Sequence, residues 1–148
     1  MKGAFELERE IGRAPQTVWA ALSDVRRTPE WYEAVSRVVP LGDGVAELGA
    51  RFELHRSLPG GPVVNVVEIT EYVPLERFTL ASRTGPTPFT YRYSLSPSAT
   101  GTRLVLHGDI SAEGLPGPAA RLGVLATALF KNGMRTNLAA LARLIEAG

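Results

Sequence analysis

Apolar and charged residues alternate near the start of the chain, in Phe5-Glu6-Leu7-Glu8-Arg9-Glu10-Ile11. Phe5, Leu7 and Ile11 share one face and the glutamates take the other, as in a half-buried strand. Arg9 falls on the apolar face and suits a place near a sheet end. The pattern then changes period. Ala14-Pro15-Gln16-Thr17-Val18-Trp19 reads as a helix start with proline in the first turn. Val18, Trp19 and Leu22 lie on one side of it, and Ser23-Asp24 ends it. Thr28-Pro29-Glu30-Trp31-Tyr32 predicts a second short helix, with Thr28 as its N-cap.

Six further strands are predicted from there. They are Val35–Leu41, Arg51–Ser57, Val63–Tyr72, Arg77–Ser82, Phe89–Leu95 and Thr102–Ser111. Gly42-Asp43-Gly44, Pro59-Gly60-Gly61-Pro62, Val73-Pro74-Leu75, Gly85-Pro86-Thr87-Pro88 and Ser96–Gly101 separate them. Short strands joined by glycine- and proline-rich turns predict an antiparallel meander.

After Gly114-Leu115-Pro116-Gly117-Pro118, the stretch Ala119–Glu146 has no proline and is dense in Ala, Leu and Arg. Leu122, Ala126, Leu129, Phe130, Gly133, Met134, Asn137, Leu138, Leu141 and Ile145 recur at three- and four-residue steps, the stripe of an amphipathic helix. A sheet with one apolar face must cover it. This helix is the only element long enough to do so. Residues 1–148 are thus expected to form a single α+β domain, with no linker or internal repeat.

Composition narrows the function classes. Of 148 residues, 45% are hydrophobic and 21% charged, which fits a globular domain. Sixteen basic against fifteen acidic residues leave a formal charge of +1 and no basic stripe, so nucleic-acid binding is not expected. The absence of cysteine excludes disulfides, thiolate catalysis and cysteine metal sites. The N-terminus is charged and has no apolar core, so no signal peptide is expected. The most apolar run, Leu122–Phe130, is far short of the roughly 20 residues of a membrane span. A cytoplasmic location is the expectation.

The order and spacing of four features resemble the SRPBCC superfamily: the first strand with Ala14-Pro15 and Val18-Trp19, then Pro29-Glu30-Trp31, the Gly101-Thr102-Arg103-Leu104 turn, and the long final helix after a Gly/Pro loop. That superfamily includes START lipid-transfer domains, birch-pollen-allergen-like proteins and polyketide cyclase/dehydrase-like proteins. The resemblance covers essentially the whole chain. It implies a helix-grip fold, in which a curved seven-stranded antiparallel sheet wraps around the C-terminal helix, with two short helices between the first two strands. It also implies an elongated apolar cavity. It does not imply one activity, since one fold hosts many functions.

Candidate cavity residues follow from alternation. Phe89, Tyr91, Tyr93 and Leu95 share one face of their strand. Tyr91 and Tyr93 suit a greasy ligand carrying one or two oxygens, or else pack on the helix and bond to backbone. Phe52 and Leu54 are expected as cavity wall or core. Arg56 shares their parity and is either an inward polar group or a strand-end snorkeller, the second being favoured. Trp31 resembles the family's aromatic near the cavity mouth, although core anchoring is the commoner role of such a residue. On the helix, Leu129, Gly133, Met134 and Asn137 are expected over the sheet. Gly133 would permit close approach. Asn137 needs a partner: a ligand, a water or a tyrosine, or the ordinary contacts of a core asparagine.

The sequence offers little for catalysis. His55 and His107, the only histidines, alternate with charged residues and are expected to face solvent. No metal-ligand spacing, nucleophile elbow or phosphate loop appears. Glu68 and Glu71 have opposite parities, so one of them at most is expected to point inward. No catalytic residue is assigned and no cofactor is expected. Three readings remain: a carrier or sensor of a hydrophobic small molecule such as a lipid or polyketide, a polyketide cyclase/dehydratase-like enzyme, and a protein-interaction module without a ligand. The first is favoured. The oligomeric state is not legible.

Overall fold

The computed structural model describes residues 2–58, 60–111 and 124–148. The elements follow the order β1 (Lys2–Ile11), α1 (Pro15–Leu22), a 3-10 helix (Val25–Glu30), β2 (Val35–Pro40), β3 (Arg51–Leu58), β4 (Gly61–Val73), β5 (Arg77–Ser82), β6 (Phe89–Ser98), β7 (Gly101–Ser111) and α2 (Val124–Ala147). Pro59, the Gly114–Pro118 loop and the expected helix start over 119–123, including Leu122, lie outside the described residues.

Seven antiparallel strands form one sheet in the order β1-β7-β6-β5-β4-β3-β2. β2 to β7 are a meander, and β1 crosses to the far edge to pair with β7. This is the helix-grip fold. One short helix differs from expectation. Thr28 is not an N-cap but lies inside the 3-10 helix, which begins at Val25. Val25 is buried and anchors the segment one turn earlier, and the Thr28 hydroxyl donates to the Val25 carbonyl.

α2 runs alongside β1 in the same direction. A Cβ on Gly3 would strike Thr127, and the Gly12 N–H donates to Glu146 Oε2 at 2.7 Å. Nineteen residues of helix at 1.5 Å each span about 28 Å, and nine residues of strand about 30 Å. The two elements therefore match in length. Met134, Leu138, Leu141, Ala142 and Ile145 are buried along the helix seam. Midway along the helix, Asn137 Oδ1 accepts the Glu33 N–H at 3.1 Å. Glu33 leads into β2, the opposite edge of the sheet. The helix is thus tied to both edges, and the inner face of the sheet is enclosed.

Candidate functional site

β6 supplies the centre of the inner face. Phe89, Tyr91, Tyr93 and Leu95 are buried and Thr90 and Arg92 exposed, as a period of two requires. The rings pack in two groups, one around Tyr91 (Phe89 at 4.8 Å, Phe5 at 6.2 Å) and one around Tyr93 (Phe78 at 6.2 Å, Trp31 at 6.5 Å). Gly108 is what admits Phe5. It is opposite both Phe5 and Tyr91 in register, and a Cβ there would lie 2.5 Å from the Phe5 ring. Phe52 and Leu54 of β3 belong to the same buried core. Trp31 is buried in it, packed against Tyr32 and Tyr93, with its indole N–H unpartnered among the described residues.

Arg56 does not snorkel. Only 1% of it is exposed, and its guanidinium carbon lies 5.0 Å from the centre of the Phe89 ring. Arg56 lies on the inner face with Phe52 and Leu54, and Asn65, Thr87 and the Phe89 ring hold its guanidinium there. Its Nη2 donates to Asn65 Oδ1 at 2.6 Å and to the Thr87 hydroxyl. Asn65 is itself fixed, because its Nδ2 donates to Pro86 O at 2.7 Å and Ser82 Oγ at 3.1 Å. Thr87 is fully buried between two prolines with φ of +46°. A β-branched residue rarely adopts that left-handed conformation, which costs on the order of 1–3 kcal/mol. The strain sets a hydroxyl against Arg56.

This polar cluster is made of neutral groups around one cation. Nε and Nη1 of Arg56 have no hydrogen-bond partner among the described residues, and neither has the Tyr91 hydroxyl. Asn65, Ser82 and Thr87 were not anticipated as site residues. Asn65 carried a signal: it shares parity with the apolar Val63, Val67 and Ile69. Ser82 and Thr87 carried none, since one ends a strand and the other lies in a turn.

Two of the four helix positions expected over the sheet are elsewhere. Met134 and Asn137 are buried, but Leu129 is 45% exposed and Gly133 has no atom within 4 Å of where a Cβ would stand. At about 100° per residue, Leu129 lies about 140° and Gly133 about 100° around the helix from Met134. Gly133 therefore admits no close neighbour. All four instead border a cleft of about 650 Å³ between α2, the Tyr32–Ala34 link and the end of β3, with Leu58 and Phe130 completing its apolar wall. That volume lies within the range of small-molecule sites. Asn137 is anchored by the Glu33 N–H, while among the described residues its Nδ2 meets only the Met134 sulfur, a weak acceptor, at 3.4 Å. A smaller hollow of about 360 Å³, bordered by Ser82 and Phe89, abuts the Arg56 cluster from the other side.

The acids are on the outer face. A bulge between Ile69 and Glu71 reverses the parity of β4, so Tyr72 turns inward against Trp19 and both Glu68 and Glu71 face out. Glu71 meets Arg77 at 2.9 Å, Thr79 at 3.0 Å and Arg92 at 3.1 Å. The Arg77 hydrogen bond foremost, with Thr79 and Arg92, holds its pKa below the usual carboxylate value. His55 pairs with Glu53 on the outer face at 2.7 Å, and His107 is exposed. No Asp, Glu or His is buried among the described residues, and none of these residues cluster as metal ligands. Burial, then the neighbouring Tyr32, pushes the Tyr91 and Tyr93 phenols well above their ordinary pKa, with Arg56 opposing the rise at Tyr91. Both phenols stay protonated and can donate.

The sequence pattern of the family described as polyketide cyclase/dehydrase and lipid transport matches residues 2–146. The chain belongs to this family. Among solved structures, the family fold here is similar to a START superfamily protein from Mycobacterium smegmatis (18% identity, TM-score 0.75, 99% of this chain and 97% of that one). It is also similar to protein MLL2253 from Mesorhizobium loti (21% identity, TM-score 0.71, 98% of each chain). A third is Ara h 8.0201 (13% identity, TM-score 0.72, 100% of each chain). At these identities the likeness is one of fold. No curated protein matches the sequence. Among the described residues, no helix is long and apolar enough to cross a membrane.

Proposed function

We propose that this family member binds a hydrophobic small molecule between the sheet and α2. The observation that carries the reading is the cleft of about 650 Å³ walled by Tyr32, Leu58, Leu129, Phe130 and Met134. It leaves Leu129 unburied at the border of a concave site, and concave apolar sites with few polar groups suit such ligands. Leu129, Gly133, Met134 and Asn137 would contact the molecule at the mouth. Trp31, Phe52, Leu54, Phe89, Tyr91 and Tyr93 would form the wall against its inner part. Burial of apolar area, at about 25 cal/mol per Å², supplies the affinity.

The family description spans cyclisation, dehydration and transport. Binding is favoured over chemistry because, among the described residues, the inner face offers donors and no Asp, Glu or His. Proton abstraction needs a group able to take a proton within reach, and the phenols of Tyr91 and Tyr93 are held protonated. The test is fluorescence titration with Nile red, a neutral apolar dye, together with native mass spectrometry of protein from its own host. Saturable dye binding that Gly133→Trp abolishes, and a co-purifying small molecule, are expected. Dye binding unaffected by Gly133→Trp would place the site elsewhere.

A further inference from the structure

Arg56 is a full positive charge enclosed by the fold with no counter-charge among the described residues. It is 1% exposed, and the described residues bring no carboxylate to it. Of the five N–H donors on a guanidinium, the two on Nη2 serve Asn65 and Thr87, and those on Nε and Nη1 are unmet. Trp31 adds an unpartnered indole N–H, and the Tyr91 hydroxyl has only the neighbouring Tyr32 beside it and no hydrogen bond of ordinary geometry among the described residues. Each of these groups can donate, and the Arg56 and Trp31 nitrogens can only donate, so among the described residues this region has more donors than acceptors. Buried charges are ordinarily paired, because an unpaired one is costly. None of these groups lines the cleft, but a chain of packed side chains links them to it, so a ligand reaches them by displacing those rings. Tyr32 borders the cleft, packs at a tilt against Trp31 and adjoins Tyr91, which packs on Phe89 beneath the guanidinium.

We infer that Arg56 receives the carboxylate of the bound molecule, with Tyr91 as a second donor, so that the ligand is an apolar acid rather than a neutral lipid. This rests on the reading that the interior takes a hydrophobic molecule, and it names that molecule's head group. A carboxylate suits the site better than a phosphate. Its single negative charge balances the one cation, whereas a phosphate dianion would leave an excess buried charge. Asn65, clamped by Ser82 and Pro86, and the strained Thr87 hold the guanidinium by Nη2 and leave its other nitrogens free. They are positioning residues.

The test is displacement of Nile red at neutral pH by dodecanoate, dodecanol and dodecyl phosphate, for the wild type, Arg56→Met and Arg56→Lys. A charge-assisted hydrogen bond in a buried site predicts that the wild type prefers dodecanoate to dodecanol by about 10-fold or more. Arg56→Met is expected to erase that preference by weakening dodecanoate far more than dodecanol, and Arg56→Lys to keep part of it. Equal displacement by dodecanoate and dodecanol in the wild type, a comparison that needs no variant, overturns the acid head group and leaves hydrophobic binding intact. Tighter binding of dodecyl phosphate than of dodecanoate overturns the carboxylate. Failure of the dye and of all the dodecyl compounds to bind sinks the carrier reading and this inference with it.

Discussion

Replacing Arg56 by methionine in delipidated protein is expected to leave stability within about 1 kcal/mol of the wild type, or to raise it. A buried ion costs several kcal/mol, and apolar replacement of buried charges is often neutral or stabilising by about 1–4 kcal/mol. Against that gain stand two losses. Asn65 Oδ1 loses the donor it meets at 2.6 Å, worth about 1–3 kcal/mol when a buried acceptor is left bare. The contact of the guanidinium with the Phe89 ring also goes, worth up to about 2 kcal/mol in a dry site. Thr87 can turn its hydroxyl and loses less. The methionine occupies most of the volume of the arginine stem, so no large cavity opens. Urea unfolding read by the fluorescence of the two tryptophans, both buried, gives the midpoint and slope. A fall of about 3 kcal/mol or more at unchanged slope is the signature of a broken buried pair. It would refute the view that the cation is uncompensated. Adding Asn65→Leu to the methionine variant should recover stability, since both partners of the lost bond are then gone. Saturating dodecanoate should stabilise the wild type by about 2.7 kcal/mol at 100 times its Kd and Arg56→Met much less.

Gly133→Ala should raise stability by about 1 kcal/mol in thermal unfolding, because the position is helical and a Cβ there meets nothing within 4 Å. Gly108→Ala should lower the urea midpoint by the equivalent of about 1–3 kcal/mol, since its Cβ would collide with the Phe5 ring at 2.5 Å; pairing it with Phe5→Leu should restore part of the loss. Glu71→Gln should cost less than about 1 kcal/mol at neutral pH, as its partners are partly exposed. Because the folded pKa of Glu71 is lowered, its contribution is present above the unfolded value of about 4.5. The gap between wild type and variant should therefore shrink as pH falls through the depressed folded value, and a gap that widens in acid would contradict the assignment.

The strands were legible because nearly every one has a clean period of two and a glycine or proline at its end. β5 runs from Arg77 to Ser82 as the pattern predicts. The aromatic face of β6 was legible for the same reason. Arg56 illustrates what periodicity leaves undecided. Its parity placed it inward with Phe52 and Leu54, but a long side chain can escape from a strand end, and what holds it is contact with Asn65, Thr87 and Phe89, distant in sequence. Glu71 shows a second limit. A single-residue bulge reverses parity for the rest of the strand, and nothing in Ile69-Thr70-Glu71 marks it. Leu129 shows a third. It belongs to the apolar stripe by spacing, yet the helix turns its seam toward Met134 and leaves Leu129 bordering the cleft. Thr87 depended on a left-handed backbone that Pro-Thr-Pro does not announce.

The pairing of β1 with β7 has a consequence for how the molecule comes to be folded. Lys2 lies opposite Ser111 and Ile11 opposite Thr102, so the earliest strand of this sheet waits for its latest before it gains a partner. The meander from β2 to β7 can assemble hairpin by hairpin as it leaves the ribosome, whereas β1 must close a loop of about a hundred residues. In the interval its apolar row of Phe5, Leu7 and Ile11 is uncovered, and the glutamates on its other face supply the charge that discourages pairing with a stranger's edge. Glu6, Glu8 and Glu10 thus guard a nascent chain as well as solvate a finished one.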